Sequence, residues 1–214
     1  MVTSLESCQI FDISPEISPE IAVYPGDTPF SANFLLDMKE GHHLTLSSIT
    51  STVHLGAHAD APSHYHKEGE SIESRSLHHY LGTVQVIEVD LGQRERIQPE
   101  HFESSIQAPR VLFKTNSFPN PKEWNDDFCA LSEELIHFLH NKNVITVGLD
   151  TPSVDISDDK ELLAHNAIAQ YDMAILEGVI LKDVPEGIYQ LIALPLKIKG
   201  SDASPVRAIL LKQN

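Results

Sequence analysis

Cysteine, basic residues and long apolar runs are all scarce in this sequence, and each shortage removes a class of function. Only two cysteines, Cys8 and Cys129, occur in 214 residues. They lie far apart with no metal-type neighbours, which argues against a disulfide scaffold or a cysteine-built zinc module and points to a reduced, cytoplasmic protein. Fifteen Lys and Arg stand against 31 Asp and Glu, for a net charge of −16. A field of that sign repels a phosphate backbone and an anionic lipid surface, so neither nucleic acid nor membrane is expected as a partner. No apolar run approaches the ~20 residues of a membrane span. Met1 to Cys8 has neither the basic cluster nor the apolar core of a secretory signal. Internal repeats and low-complexity segments are also missing. The length fits one domain over 1–214, and 41% hydrophobic residues can build a sizeable core.

Histidine, by contrast, is plentiful, with 12 in the chain. Most need no special role, and the pairs His42-His43 and His78-His79 read as solvated loop positions. One stretch differs. From His54 to His64 the sequence runs His-Leu-Gly-Ala-His-Ala-Asp-Ala-Pro-Ser-His, three histidines and one aspartate in eleven residues. Imidazole with carboxylate is the usual ligand set for Zn²⁺ and similar divalent ions. Gly56 and Pro62 argue against a helix, so a tight loop leaving a strand is expected. The small residues between let the side chains converge.

The rest of the chain reads as mixed α/β. Ile10–Ser14 forms a short strand, and Tyr24-Pro25-Gly26-Asp27 a type II turn with glycine at positive φ. β-Branched residues over 43–53 support a strand that delivers His54. Further strands are expected at 84–90, 110–115, 144–149, 174–181, 189–194 and 206–211. Ser132 caps a helix with an apolar face from Leu135 to Leu139. A second helix is expected from about Asp158 to Gln170, capped by Asp158 or Asp159 and carrying His165. His165 reads by default as a surface histidine. Glu177 lies in an apolar strand and needs a partner, either a metal or a salt bridge.

These residues resemble a known family. His54–His64 is similar to the His-x-Gly-Thr-His-x-Asp-x-Pro-x-His motif of the cyclase-like metal hydrolases, and more narrowly of the bacterial kynurenine formamidases (arylformamidases). Tyr24–Pro29 resembles their aromatic-Pro-Gly-Asp-Thr-Pro turn. Gly148–Asp155, Ile175–Gly178, Ala193–Leu196 and Asp202–Ala208 resemble later signatures. The likeness spans about Ile10 to Leu211. It implies an α/β fold of the swivelling β/β/α type, with a mixed sheet and few helices, and a homodimer. It also implies a site for Zn²⁺, two ions per subunit, or Mn²⁺. His54, His58 and Asp60 would be ligands, with Asp60 reaching both ions and His165 and Glu177 completing the set. His64 would be the general acid/base and Tyr24 a substrate contact. Two departures stand out. Ala57 replaces the usual threonine, and Tyr24 replaces the tryptophan typical of a formamidase, which keeps a flat aromatic but a smaller one.

The activity so implied is hydrolysis of N-formyl-L-kynurenine, an aryl formamide, to L-kynurenine and formate in tryptophan catabolism. Such a reaction needs activated water, a polarised carbonyl and a proton for the leaving amine. A bound zinc lowers the pKa of water from about 15.7 to about 7. A histidine of pKa about 6.5 suits the proton transfer. The rivals are a related amide hydrolase, such as an isatin hydrolase that opens a cyclic amide, and a non-catalytic metal-binding protein. A structural zinc site is closed by four strong ligands, often cysteines. The carboxylates and the spare His64 here favour catalysis.

Overall fold

The computed structural model describes residues 8–213. Most of the segment at 1–8, where no secretory signal is expected, lies outside the described residues. The strands are β1 (Cys8–Asp12), β2 (Ser31–Leu36), β3 (Leu46–Thr50), β4 (His58–Asp60), β5 (Leu81–Glu88), β6 (Arg96–Ile97), β7 (Arg110–Lys114), β8 (Ala130–Leu131), β9 (Thr146–Leu149), β10 (Ala174–Glu177), β11 (Gly187–Ile192), β12 (Ala203–Pro205) and β13 (Ile209–Gln213). The two α-helices are α1 (Glu133–Asn141) and α2 (Leu163–Gln170).

Nine strands form one curled mixed sheet in the order β1-β13-β11-β5-β7-β9-β10-β4-β12. The central strands β5, β7, β9 and β10 run parallel, and all other pairings in the sheet are antiparallel. Strands covered on both faces should be apolar throughout. In β7, Val111, Leu112 and Phe113 are accordingly all buried. Successive side chains point to opposite faces. Leu112 and Leu176 join the core on one face, while Val111, Phe113 and Ile175 join the core that α1 and α2 cover. Helix α1 forms as its sequence requires: Ser132 Oγ accepts from Leu135 N at 3.0 Å, and Leu135, Ile136 and Leu139 are buried. No helix among the described residues is long and apolar enough to cross a membrane.

Several local expectations need correction. The centre of the histidine-rich stretch is a strand rather than a loop, because β4 is hydrogen-bonded on both sides, to β10 and to β12. Ala57, Ala59 and Ala61 are buried there, so the small residues serve close packing. Helix α2 begins at Leu163, about five residues later than expected. Its first turn is capped by Asp155, whose carboxylate accepts from Ala164 N at 3.1 Å and His165 N at 3.0 Å. Asp158 and Asp159 are instead paired with Arg94 and Arg96. Leu162 takes φ +51°, which stops the helix from extending back. Strand β10 ends at Glu177, since Gly178 turns the chain at φ +65°. The strand expected over 43–53 forms at Leu46–Thr50 but pairs only with β2, outside the main sheet. Both strands of that hairpin are exposed, with Phe34 at 62% and Ile49 at 69%. Strands β2 and β12 carry no sequence signal strong enough to be foreseen.

Candidate metal centre and its cleft

The ladder between β4 and β10 builds the floor of the site. His58 lies directly opposite Glu177, and Asp60 opposite Ile175. His58, Asp60 and Glu177 therefore share the face that also carries α2. His165, in the first turn of α2, comes down onto that face. Its Nε2 lies 3.6 Å from Asp60 Oδ2. His54 enters from the preceding turn, with Nδ1 3.0 Å from Asp60 Oδ1. Two glycines let the turn approach. Gly56 has φ +56°, and a Cβ on Gly178 would sit 2.1 Å from the Gly56 carbonyl oxygen. No larger residue fits at Gly178 without pushing His54 and His58 away from Glu177.

The donor atoms converge on shared space. His58 Nε2 is 3.1 Å from Glu177 Oε2 and 3.5 Å from Asp60 Oδ1. Yet His58 Nε2 and both carboxylate oxygens of Asp60 are buried with no hydrogen-bond partner among protein atoms. The imidazole edges come close without directing an N–H along a hydrogen-bond line. Buried polar atoms are rarely left so, because each costs about 1–3 kcal/mol. A divalent ion among them would satisfy all three at once, and the mixed imidazole and carboxylate set suits Zn²⁺ or Mn²⁺. Three overlapping sets place one ligand atom per residue within 4.8 Å of one another: His54, His58 and Asp60; Asp60, His64 and His165; and His54, His64 and Asp202. The residues present thus fit a metal centre around Asp60.

Electrostatics describe the same arrangement. Without an ion, burial works against charge on the His165 ring, but Asp155 and Asp60 outweigh it and raise its pKa to about 10. His54 is likewise opposed by burial and raised to about 9 by Asp60 and Asp202. His58 is raised by Glu177 against the same burial. Burial would raise Asp60, yet the imidazoles of His165, His54 and His58 close around it hold it well below the ordinary carboxylate range. Asp155, also buried, is lowered to about 2 by His165 and Arg96.

A cleft of about 570 Å³ opens over this cluster, with His54, Asp60, His64, His165 and Glu177 on its floor and Tyr24 on its wall. His64 is 37% exposed, its ring 4.2 Å from that of His54. Tyr24 closes the expected turn: Asp27 N donates to Tyr24 O at 2.9 Å, and Gly26 has φ +95°. The Tyr24 hydroxyl donates to Ser157 O at 3.0 Å, and its ring meets the edge of Trp124 at 5.3 Å. Six of the seven residues singled out in the sequence therefore border this cleft, and the seventh, His58, lies beneath it against Asp60 and Glu177. Sequence reasoning missed two more. Asp155 accepts from His165 Nδ1 at 2.8 Å. Asp202 lies 3.1 Å from His54 Nε2 and 3.5 Å from His64 Nδ1. Each sits in a stretch that resembles the family, but neither has a neighbouring histidine to mark it.

Several solved structures are similar to this chain over nearly their whole length. A potential metal-dependent hydrolase with cyclase activity is 28% identical, with TM-score 0.82 over 97% of this chain and 99% of that one. The predicted metal-dependent hydrolase from Bacillus stearothermophilus is 27% identical, with TM-score 0.78 over 95% and 98%. Isatin hydrolase A from Labrenzia aggregata, bound to benzyl benzoate, is 22% identical, with TM-score 0.82 over 98% and 95%, and shares the fold. The Cyclase family model matches residues 11–156, which include His54, His58, Asp60 and His64 but neither His165 nor Glu177. With that match covering more than half of the chain and the cleft's leading strand, the chain belongs to the Cyclase family.

Proposed function

We propose that this protein is a metal-dependent hydrolase of aryl formamides, acting on N-formyl-L-kynurenine to give L-kynurenine and formate. The observation that carries the reading is the set of buried, unpartnered atoms of His58 and Asp60 under an open cleft with His64 on its floor. A divalent ion there would activate water and polarise the formyl oxygen. His54, His58, Asp60, His165 and Glu177 would hold two ions, Zn²⁺ or Mn²⁺, with Asp60 shared. His64 would move the proton. Water adds to the formyl carbon and gives one proton to the imidazole. The same imidazole then protonates the aryl nitrogen as the C–N bond breaks. Tyr24 offers its exposed ring to the aryl group.

Isatin hydrolysis is the second reading, favoured by the structural likeness to isatin hydrolases, which open a cyclic amide. The deciding experiment supplies metal-reconstituted protein with N-formylkynurenine and isatin in parallel. Faster turnover of isatin would transfer the assignment. No turnover of either, with tight metal, would leave a non-catalytic metal protein.

The acidic surface and the small-molecule cleft fit a cytoplasmic, one-domain enzyme that binds neither nucleic acid nor membrane. An isolated two-stranded hairpin is marginal in water, so the β2–β3 arm, with Phe34, Leu35 and Ile49 exposed, is assigned to a homodimer contact. Sedimentation showing a dimer that Phe34→Asp does not weaken would remove the arm from that role.

A further inference from the structure

The ligand histidines share a pattern at their far nitrogens. His58 turns Nε2 toward Asp60 and Glu177, and its Nδ1 lies 2.9 Å from the Gly56 carbonyl oxygen. His165 turns Nε2 toward Asp60, and its Nδ1 lies 2.8 Å from Asp155 Oδ2. His54 turns Nδ1 toward Asp60, and its Nε2 lies 3.1 Å from Asp202 Oδ2. In each ring one nitrogen faces the convergent space and the other meets an oxygen. Such an outer acceptor fixes the tautomer and ring plane of a metal-binding imidazole. Asp202 differs from the other two acceptors in one respect. The same Oδ2 also lies 3.5 Å from His64 Nδ1.

The backbone holds this carboxylate in place. Ala61 N donates to Asp202 O at 2.8 Å, and the next residue, Ala203, pairs with Asp60 across the β4–β12 ladder. Ile72 N donates to Ser201 O at 2.9 Å from the other side. Asp202 is thus tied to the strand that carries His58 and Asp60, although its side chain is 49% exposed. An ordinary rim acid would lack such a fixed position between two imidazoles.

We propose that Asp202 is a positioning residue that holds His54 and His64 with one carboxylate oxygen. It orients His54 toward the metal centre and keeps the His64 ring beside it. This rests on the reading of His54 as a ligand and His64 as the proton carrier. Removing an outer carboxylate of this kind typically costs about 10–100-fold in metal affinity or activity. Asp202→Ala should therefore weaken metal binding by about that factor and lower kcat, with KM little changed. Asp202→Asn, which keeps one acceptor oxygen, should recover part of both.

The test measures Co²⁺ affinity and stoichiometry by chelator competition, and the imidazole ¹⁵N spectrum of the metal-free protein. In the metal-free protein, Asp202→Ala should shift the His54 and His64 resonances and leave those of His58 and His165 in place. That readout stands even if the wild-type chain binds no metal, a result that would remove the hydrolase reading on its own. Unmoved His54 and His64 resonances, with affinity within about twofold of wild type, would overturn the proposal. So would the loss of one whole bound ion with the other unaffected, because Asp202 would then be a ligand.

Discussion

The candidate site has two halves that differ in their access to water. His58, Asp60, His165 and Glu177 are at most 4% exposed in their side chains. His54, His64 and Asp202 are 19%, 37% and 49% exposed. In the inner half, charged groups have only each other, because solvent cannot stabilise whichever is left unpaired. In the outer half, water can replace a lost partner. The inner half is therefore suited to hold an ion, and the outer half to exchange protons and admit substrate. Substitutions of His58 and His64 should separate along this line, the first removing metal and the second removing rate, while those of His54 and Asp202 affect both.

The sharpest break comes from His58→Ala. It leaves Glu177 and Asp60 facing an empty, buried volume. Removing one partner of a buried pair costs about 3–5 kcal/mol. The variant should lose metal and turnover together and melt earlier, as elemental analysis and thermal unfolding would show. Retention of a full complement of metal would mean that the inner half is only an ion-pair network.

His64→Ala probes the outer half. It should keep both metal and melting temperature, while kcat falls by about 10²–10⁴-fold, the usual contribution of general acid–base catalysis. A competing geometry exists, since Asp60, His64 and His165 also place ligand atoms within 4.8 Å of one another. If His64→Ala loses metal as readily as His58→Ala, the division between the halves fails at this residue.

How much of this was legible in the sequence follows the same division. His54, His58, Asp60 and His64 stand close in sequence, so spacing alone marks them. His165 and Glu177 come from α2 and β10, about a hundred residues on. Their relation to β4 is created by sheet order, which no local pattern encodes, and the family resemblance carried them. Asp155 and Asp202 act on other side chains and carry no local signal. Asp158 and Asp159 drew the helix cap away from Asp155 because acids before an apolar run look alike until the fold brings one of them to the Ala164 and His165 amides. The strand at His58–Asp60 was hidden for a related reason. The five residues between Gly56 and Pro62 read as a turn, and only the pairing with β10 and β12 on both sides makes the middle three a strand.

A third prediction sharpens the comparison through pH. In the ion-free protein, His165 and His54 are raised to about 10 and about 9. The folded form then holds protons that the unfolded chain releases above about 6.5. Their contribution to stability is complete below that pH and is lost as pH rises through 9 and then 10. Chelated protein should therefore melt progressively earlier over this range. Metal-loaded protein should not show the decline, because an ion takes the place of the protons. Identical pH profiles with and without chelator would mean that the ion does not occupy these imidazoles.

The smallest expected effect lies farthest from the inner half. Tyr24 is 53% exposed and holds no ligand atom near Asp60, so Tyr24→Ala should leave metal content and kcat nearly unchanged. An aromatic contact is worth about 0.5–1.5 kcal/mol beyond its buried area, so KM for an aryl formamide should rise severalfold. Trp124 is the only tryptophan in the chain, and its ring lies 5.3 Å from that of Tyr24. Its fluorescence therefore reports on this wall of the cleft without requiring turnover. Titration with formanilide should change the emission of the wild-type protein, with a half-point that moves to higher concentration in Tyr24→Ala. The aliphatic N-methylformamide should separate the two proteins much less, because it has no ring to meet Tyr24. An equal shift for both ligands would make Tyr24 a brace for the Pro25-Gly26 turn and leave recognition of the aryl group to the rest of the cleft.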